Sequence, residues 1–151
     1  MIKENPQEKT VLCVQTGDSC YGFELSAVTR VMRSPAISPL PWLPEHYEGV
    51  CILSGAVLPV AALDSLQGKR EAERPEKQAI LVVHSSEYEC GILVGESPFL
   101  IRAAECDKLE CTAASVTEGG LVLKEQYRMP SERIVEIVNV EETLKNLVVC
   151  E

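Results

Sequence analysis

Two stretches of this chain can be laid over one another without a gap: Val11–Arg33 (VLCVQTGDSCYGFELSAVTRVMR) and Ile80–Arg102 (ILVVHSSEYECGILVGESPFLIR). Leu12 falls on Leu81, Val14 on Val83, Gly22 on Gly91 and Arg33 on Arg102. Four identities carry little by themselves. The shared pattern carries more, because each stretch reads as an apolar strand, a polar turn, a glycine-containing strand and a third segment with an apolar end. The correspondence continues, one residue out of step, with Glu48-Gly49-Val50-Cys51-Ile52-Leu53 against Glu118-Gly119-Gly120-Leu121-Val122-Leu123. A further strand follows each, Ala56–Leu63 and Arg133–Val140. A repeated unit of about five short strands punctuated by turns predicts small β-barrels.

Local chemistry supports the strands. Thr16-Gly17-Asp18-Ser19 is a turn cluster between two apolar runs and predicts a hairpin. In the second of those runs Tyr21, Phe23 and Leu25 share one face by the two-residue period of a strand. Ser54-Gly55 reads as a two-residue hairpin loop. Ser26 is placed to cap a single helical turn through Ala27–Val31. Ser38–Pro44 holds three prolines and is irregular, since proline lacks a backbone donor and keeps its neighbours extended. Near the end, Glu141–Leu147 has helical spacing, with acids in its first turn and Asn139 as a cap, and Leu144 and Leu147 as its packing face. The organisation that follows is one domain over residues 10–147. It divides into a first subdomain over 10–68 and a second over 79–147, with exchange of strands between them left open. Gln67–Gln78 (QGKREAERPEKQ), the most polar stretch, joins the two as a solvated connector.

The chain has 151 residues, enough for one ordinary domain or two very small ones sharing a core. With 5% aromatic residues, that core comes from Val, Leu, Ile, Ala and Cys, a composition suited to pleated surfaces. No apolar run approaches the roughly 18 residues of a membrane-spanning helix, and the charged Met1–Lys9 start argues against a secretory signal. The expectation is a cytoplasmic protein with no direct membrane insertion. A net charge of −9 makes nucleic acid and anionic lipid poor partners.

Chemistry-bearing residues are few. The seven cysteines include no C-x-x-C pair. Cys13, Cys51 and Cys90 sit in apolar runs, where a reduced thiol behaves as a small hydrophobe. Cys106 and Cys111 form the pair to consider for redox or metal chemistry, with no histidine beside them. His46 and His84 are the only histidines, and nothing pairs them with a nucleophile. No phosphate loop, dinucleotide fingerprint, nucleophile elbow or zinc-protease motif is present. The expectation is a protein with no catalytic residues, metal or other cofactor.

What remains is a binding pattern. Pro41–Leu63 (PWLPEHYEGVCILSGAVLPVAAL) concentrates prolines, the only tryptophan and a mostly apolar hairpin in one stretch. Apolar residues left outside a small barrel mark an interaction surface, and Trp42 is a natural anchor for one. Equally, Trp42 can close the end of a barrel.

Within this stretch the order P-x-x-P-x-x-x-x-G-V-x-x-L-x-G-x-x-x-P-V runs through Pro41, Pro44, Gly49, Val50, Leu53, Gly55, Pro59 and Val60. It resembles the signature of CheW-like domains. Tyr21–Val28 (YGFELSAV) is similar to the family's first hairpin and following turn, and Gly91-Ile92-Leu93-Val94 to the opening of its second half. The resemblance spans Thr10 to Leu147. It implies a mainly β fold of two SH3-like five-stranded barrel subdomains packed together, with short helices including one at the C-terminus. It also implies a non-enzymatic adaptor that joins chemoreceptor cytoplasmic tips to the regulatory domain of a CheA-type histidine kinase. The receptor groove would draw on Val28, Val31, Gly49, Ser54 and Gly55, and the kinase-facing surface on Val57, Leu58, Pro59 and Val60. Four positions depart from the family pattern: Ser54 stands where an arginine is usual, Arg30 and Ala62 where acids are usual, and Gly95 where an acid usually follows Gly-x-x-Val. Two other readings therefore stand beside the first. One is a single-partner regulator or decoy that has lost receptor coupling, and the other is a cysteine-based redox- or metal-responsive protein.

Overall fold

The computed structural model describes residues 9–16, 19–33, 37–41, 47–67, 78–95, 98–109, 115–117 and 119–149. Trp42, His46, Cys111 and all but the ends of the Gln67–Gln78 connector lie outside them. Strands β1 (Thr10–Thr16) and β2 (Ser19–Glu24) form the first predicted hairpin, with Leu12 opposite Phe23 and Val14 opposite Tyr21. A 3-10 turn, Leu25–Ala27, leads into β3 (Val28–Arg33). Two expectations are corrected here. Ser26 caps no helical turn through Val31, because β-branched Val28, Thr29 and Val31 favour the extended chain. Leu25 leaves the face of Tyr21 and Phe23 and is 42% exposed.

The hairpin of β4 (Tyr47–Leu53) and β5 (Ala56–Ala62) turns at Ser54-Gly55 and runs into α1 (Leu63–Gln67). The second half contributes β6 (Gln78–His84), β7 (Glu89–Gly95), β8 (Phe99–Arg102) and a 3-10 turn at Ala103–Glu105. It ends with β9 (Asp107–Leu109), β10 (Ser115–Val116), β11 (Val122–Arg128), β12 (Ile134–Val138) and α2 (Val140–Val149).

These strands build two sheets. One has seven strands in the order β10-β11-β12-β2-β1-β8, with β9 also on β11; the other has five, β3-β6-β7-β5-β4. Neither sheet is one half of the chain. The hairpin β1–β2 sits among strands from the second half, and β6–β7 sits between β3 and β5. Each hairpin acquires a parallel neighbour from elsewhere: β12 beside β2, with Ile137 opposite Gly22, and β5 beside β7, with Val60 opposite Gly91. The repeated glycines have a common cause. A Cβ on Gly22 would collide with Val11 and Ile137, and one on Gly91 would collide with Ile80 and crowd Val60.

The later part of the repeat needs a different alignment. Pairing in β4–β5 slips at a bulge between Tyr47 and Gly49, and pairing in β11–β12 slips between Leu123 and Glu125. Gly49 lies opposite Val60 just after the first bulge, as Glu125 lies opposite Ile137 just after the second. The spatial counterpart of Gly49 is thus Glu125 rather than Gly119. The Glu-Gly match misled because the segments leading to the two strands differ in length.

Strand alternation distributes the apolar residues over three cores. Leu12, Val14, Tyr21 and Phe23 join Leu81, Val83 and Ile92 in a core between the two sheets. On the opposite face of the seven-stranded sheet, Val11 and Cys13 pack with Tyr127, Val135 and Ile137. On that of the five-stranded sheet, Ile80 and Val82 pack with Cys51, Leu58, Val60 and Leu93. Burial on both faces explains why β1 and β6 read as continuous apolar runs. Helix α2 seats Val140, Leu144 and Leu147 in the between-sheet core. It starts as predicted, with the Asn139 side-chain oxygen accepting from the Glu142 N–H at 3.1 Å.

Candidate docking surfaces

The β4–β5 hairpin carries the most exposed apolar pair among the described residues. Ile52 and Val57 lie directly opposite one another and are 72% and 65% exposed. Val50 and Pro59, the next outward pair, are half-buried. The inward residues of the same strands, Cys51, Leu58 and Val60, are buried in the core of the five-stranded sheet. Of the four residues named for a kinase-facing surface, Leu58 and Val60 are therefore core. Only Val57 and Pro59 face outward, since a strand cannot present consecutive residues to one partner. Ile52 was not singled out from the sequence, although the same alternation, with Cys51 turned inward, marks it.

The turn at the hairpin tip places Ser54 and Gly55 in left-handed backbone, with φ of 50° and 81°, and both are exposed. Gly49 is buried where the Ser38 backbone crosses β4. Ser38 and Val50 exchange N–H···O bonds of 2.8 and 2.9 Å there, and a side chain at Gly49 would strike the Ser38 carbonyl. Gly49 is a packing position. Val28, at the start of β3, is half-buried against the between-sheet core, whereas Val31 is 40% exposed on the same strand. The nine predicted positions thus separate into an exposed hairpin tip, an exposed edge strand and buried supports.

Among the described residues the polar side chains form no catalytic set. Cys13, Cys20, Cys51 and Cys90 are buried, and Cys106 is half-buried. Burial pushes the Cys90 thiol up to about 12 and raises that of Cys106 as well, the latter with help from Glu105 and Asp107. A raised pKa makes the Cys90 and Cys106 thiols correspondingly less reactive. Among the described residues no cluster of three or more His, Cys, Asp or Glu could hold a metal ion. A hollow of about 450 Å³ opens beside Cys106, lined by Lys9, Ala103, Ala104, Lys108, Glu125 and Tyr127. Its lysines already face carboxylates, Lys9 to Glu24 at 3.6 Å and Lys108 to Glu125 at 3.9 Å. The Tyr127 hydroxyl donates to Glu125 at 3.0 Å, and burial followed by that carboxylate raises its pKa to about 12. His84 bonds the Thr29 hydroxyl at 2.8 Å on the surface, well outside this hollow. No helix among the described residues is long and apolar enough to cross a membrane.

The model of the CheW-like domain matches residues 10–147. The chain belongs to the CheW-like domain family. Like its family, it is a scaffolding adaptor and not an enzyme. The chain is 25% identical over 147 residues to the chemotaxis protein CheW of Thermotoga maritima, covering 90% of this chain and 93% of that one. The crystal structure of the scaffolding protein TtCheW from Thermoanaerobacter tengcongensis superimposes with a TM-score of 0.73 at 17% identity, over 90% of this chain and 92% of that one. The two sheets described above are accordingly the two SH3-like subdomains of a CheW-like fold. The four departures from the family pattern fall in different settings. Ser54 and Arg30 are exposed, Ala62 is buried at the end of β5, and Gly95 is half-buried at the end of β7. The first two lie on the surface, whereas Ala62 lies inside an apolar core.

Proposed function

We propose that this chain is a cytoplasmic chemotaxis adaptor that couples a chemoreceptor cytoplasmic tip to the regulatory domain of a CheA-type histidine kinase. The observation that supports it best is the outward apolar pair Ile52 and Val57 on the β4–β5 hairpin. Isolated exposed apolar residues are ordinary, but two facing each other at the tip of a rigid hairpin, above half-buried Val50 and Pro59, form a patch suited to a partner. We assign the kinase domain to this face, through Ile52, Val57 and Pro59. The receptor tip falls to Val31 on β3 and the exposed Ser54-Gly55 turn, with Val28 and Gly49 as supports. Interfaces of such modest area give micromolar affinity, reinforced by multivalent assembly.

Titration against the regulatory domain of the cognate kinase tests the kinase half. Val57→Asp is expected to weaken binding by at least about tenfold, as burying an unpaired carboxylate costs more than 1.4 kcal/mol. Absence of binding by the parent protein at about 100 μM, well above the expected affinity, would sink this half of the reading. The turn bears on the receptor half, because Ser54 supplies no charge where the family pattern implies an arginine. A gain of receptor-tip binding in Ser54→Arg, from a parent that does not bind, would point instead to a single-partner regulator that keeps the kinase face.

A further inference from the structure

We propose that the hollow beside Cys106 binds a small monocarboxylic acid with an apolar body, its carboxylate received by Lys9 and Lys108. The hollow lies where the chain passes from β8, at one end of the seven-stranded sheet, to β9 on β11. Backbone pairing fixes its two sides. The Ala103 N–H donates to the Lys9 carbonyl at 2.8 Å, and Lys108 lies opposite Tyr127 where β9 pairs with β11. The lining divides into an apolar floor and a charged rim. Ala103 and Tyr127 are buried and belong, with Cys106 packed against them, to the core on the outer face of that sheet. The side chains of Lys9 and Lys108 are 36% and 64% exposed.

The charges of the lining are unequal: two ammonium groups and one carboxylate, Glu125. Glu125 is committed, since it accepts from the Tyr127 hydroxyl and faces Lys108. Glu24, which faces Lys9, is shared with Lys124. The exposed Glu105 and Asp107 adjoin Cys106 without lining the hollow. Both lysine pairs, at 3.6 and 3.9 Å, are longer than a hydrogen bond, so each ammonium keeps N–H donors to offer a ligand oxygen. A carboxylate there gains charge-assisted hydrogen bonds, and a neutral group of the same shape does not. The volume of about 450 Å³ falls within the range of small-molecule sites, roughly 300–1,000 Å³, where an apolar wall supplies contact and a few polar groups fix orientation. Ala103, Ala104 and the Tyr127 ring supply that wall. Val31, Ile52 and Val57 all lie on the other sheet, so this site is independent of the adaptor reading.

The test titrates the full chain with benzoate by calorimetry, with benzamide as the neutral isostere. Benzoate is expected to bind with a dissociation constant below about 1 mM, and benzamide at least about tenfold more weakly. Lys9→Gln and Lys108→Gln should each weaken benzoate about three- to tenfold and reduce the salt dependence of its affinity. Ala104→Trp fills the hollow from its exposed wall without touching a charge, and it should abolish binding. Absence of binding by the parent chain at about 10 mM benzoate overturns the inference. So does benzamide binding as tightly as benzoate, because the carboxylate is then not what is recognised. Benzoate affinity unchanged in Ala104→Trp and in both lysine variants overturns it too, by placing the ligand elsewhere. Tighter binding of an acetylated peptide ending in phenylalanine would replace the small acid by a chain terminus and overturn the assignment. Circular dichroism of each variant separates loss of binding from loss of fold.

Discussion

Ser54 and Gly55 show how a single turn couples backbone to function. Positive φ at both central residues is the signature of the hairpin turn whose twist matches the flanking strands. A side chain at Gly55 would meet nothing within 4 Å, so its cost is conformational alone. Gly55→Ala is expected to lower stability by about 1 kcal/mol, read as a reduced denaturation midpoint at unchanged slope. Thr143 is a buried polar residue whose hydroxyl accepts the Val122 N–H at 3.0 Å. Thr143→Val keeps the shape and orphans that donor, for an expected loss of about 1–3 kcal/mol, whereas Thr143→Ser retains the bond. Glu141 accepts from both the hydroxyl and the N–H of Ser86, and these bonds hold its carboxyl below the usual range. A lowered folded pKa contributes stability above the unfolded glutamate value of about 4.3. That contribution is lost as pH falls through the folded value. Ser86→Ala should therefore flatten the acid limb of a stability–pH profile and leave alkaline behaviour unchanged.

At the scale of elements, the two hairpins β1–β2 and β6–β7 are equivalent inserts, and Gly22 and Gly91 are where each lets its neighbour's side chains pass. Gly22→Ala and Gly91→Ala are both expected to destabilise by about 1–3 kcal/mol through overpacking, and matched thermal denaturation curves would check the equivalence. Helix α2 is the element that locks the sheets together, since Leu144 is fully buried between them. Leu144→Ala should cost about 2–5 kcal/mol, the usual range for emptying such a site. The hairpins and α2 were legible in the sequence because their signals are local: a turn cluster, a two-residue period, a capping asparagine. The 3-10 turn at Leu25–Ala27 was not, because where β2 ends depends on the chain crossing to the other sheet.

At the scale of the whole molecule, each sheet is completed by strands from the other half of the chain. Fragments cut within the connector should each lack a cooperative transition, and mixing them should restore one, with near-native circular dichroism. A fragment that folds alone as a cooperative unit would contradict the strand exchange seen here. The candidate surfaces divide in the same way. The proline-and-glycine pattern located the β4–β5 hairpin, and with it Val57 and Pro59. It could not separate them from Leu58 and Val60, whose inward direction is set by the neighbouring strands.

The sequence by itself determined that this chain is β-rich, repeated and without catalytic groups, because periodicity, turn chemistry and residue inventory are local properties. It also carried the motif by which the family is recognised. Only the tertiary structure decided which strands share a sheet, which of the repeated residues coincide in space and which apolar side chains remain in solvent. Those outcomes depend on pairing between segments far apart in the chain, where register and burial are set by the partner strand rather than by the residue itself.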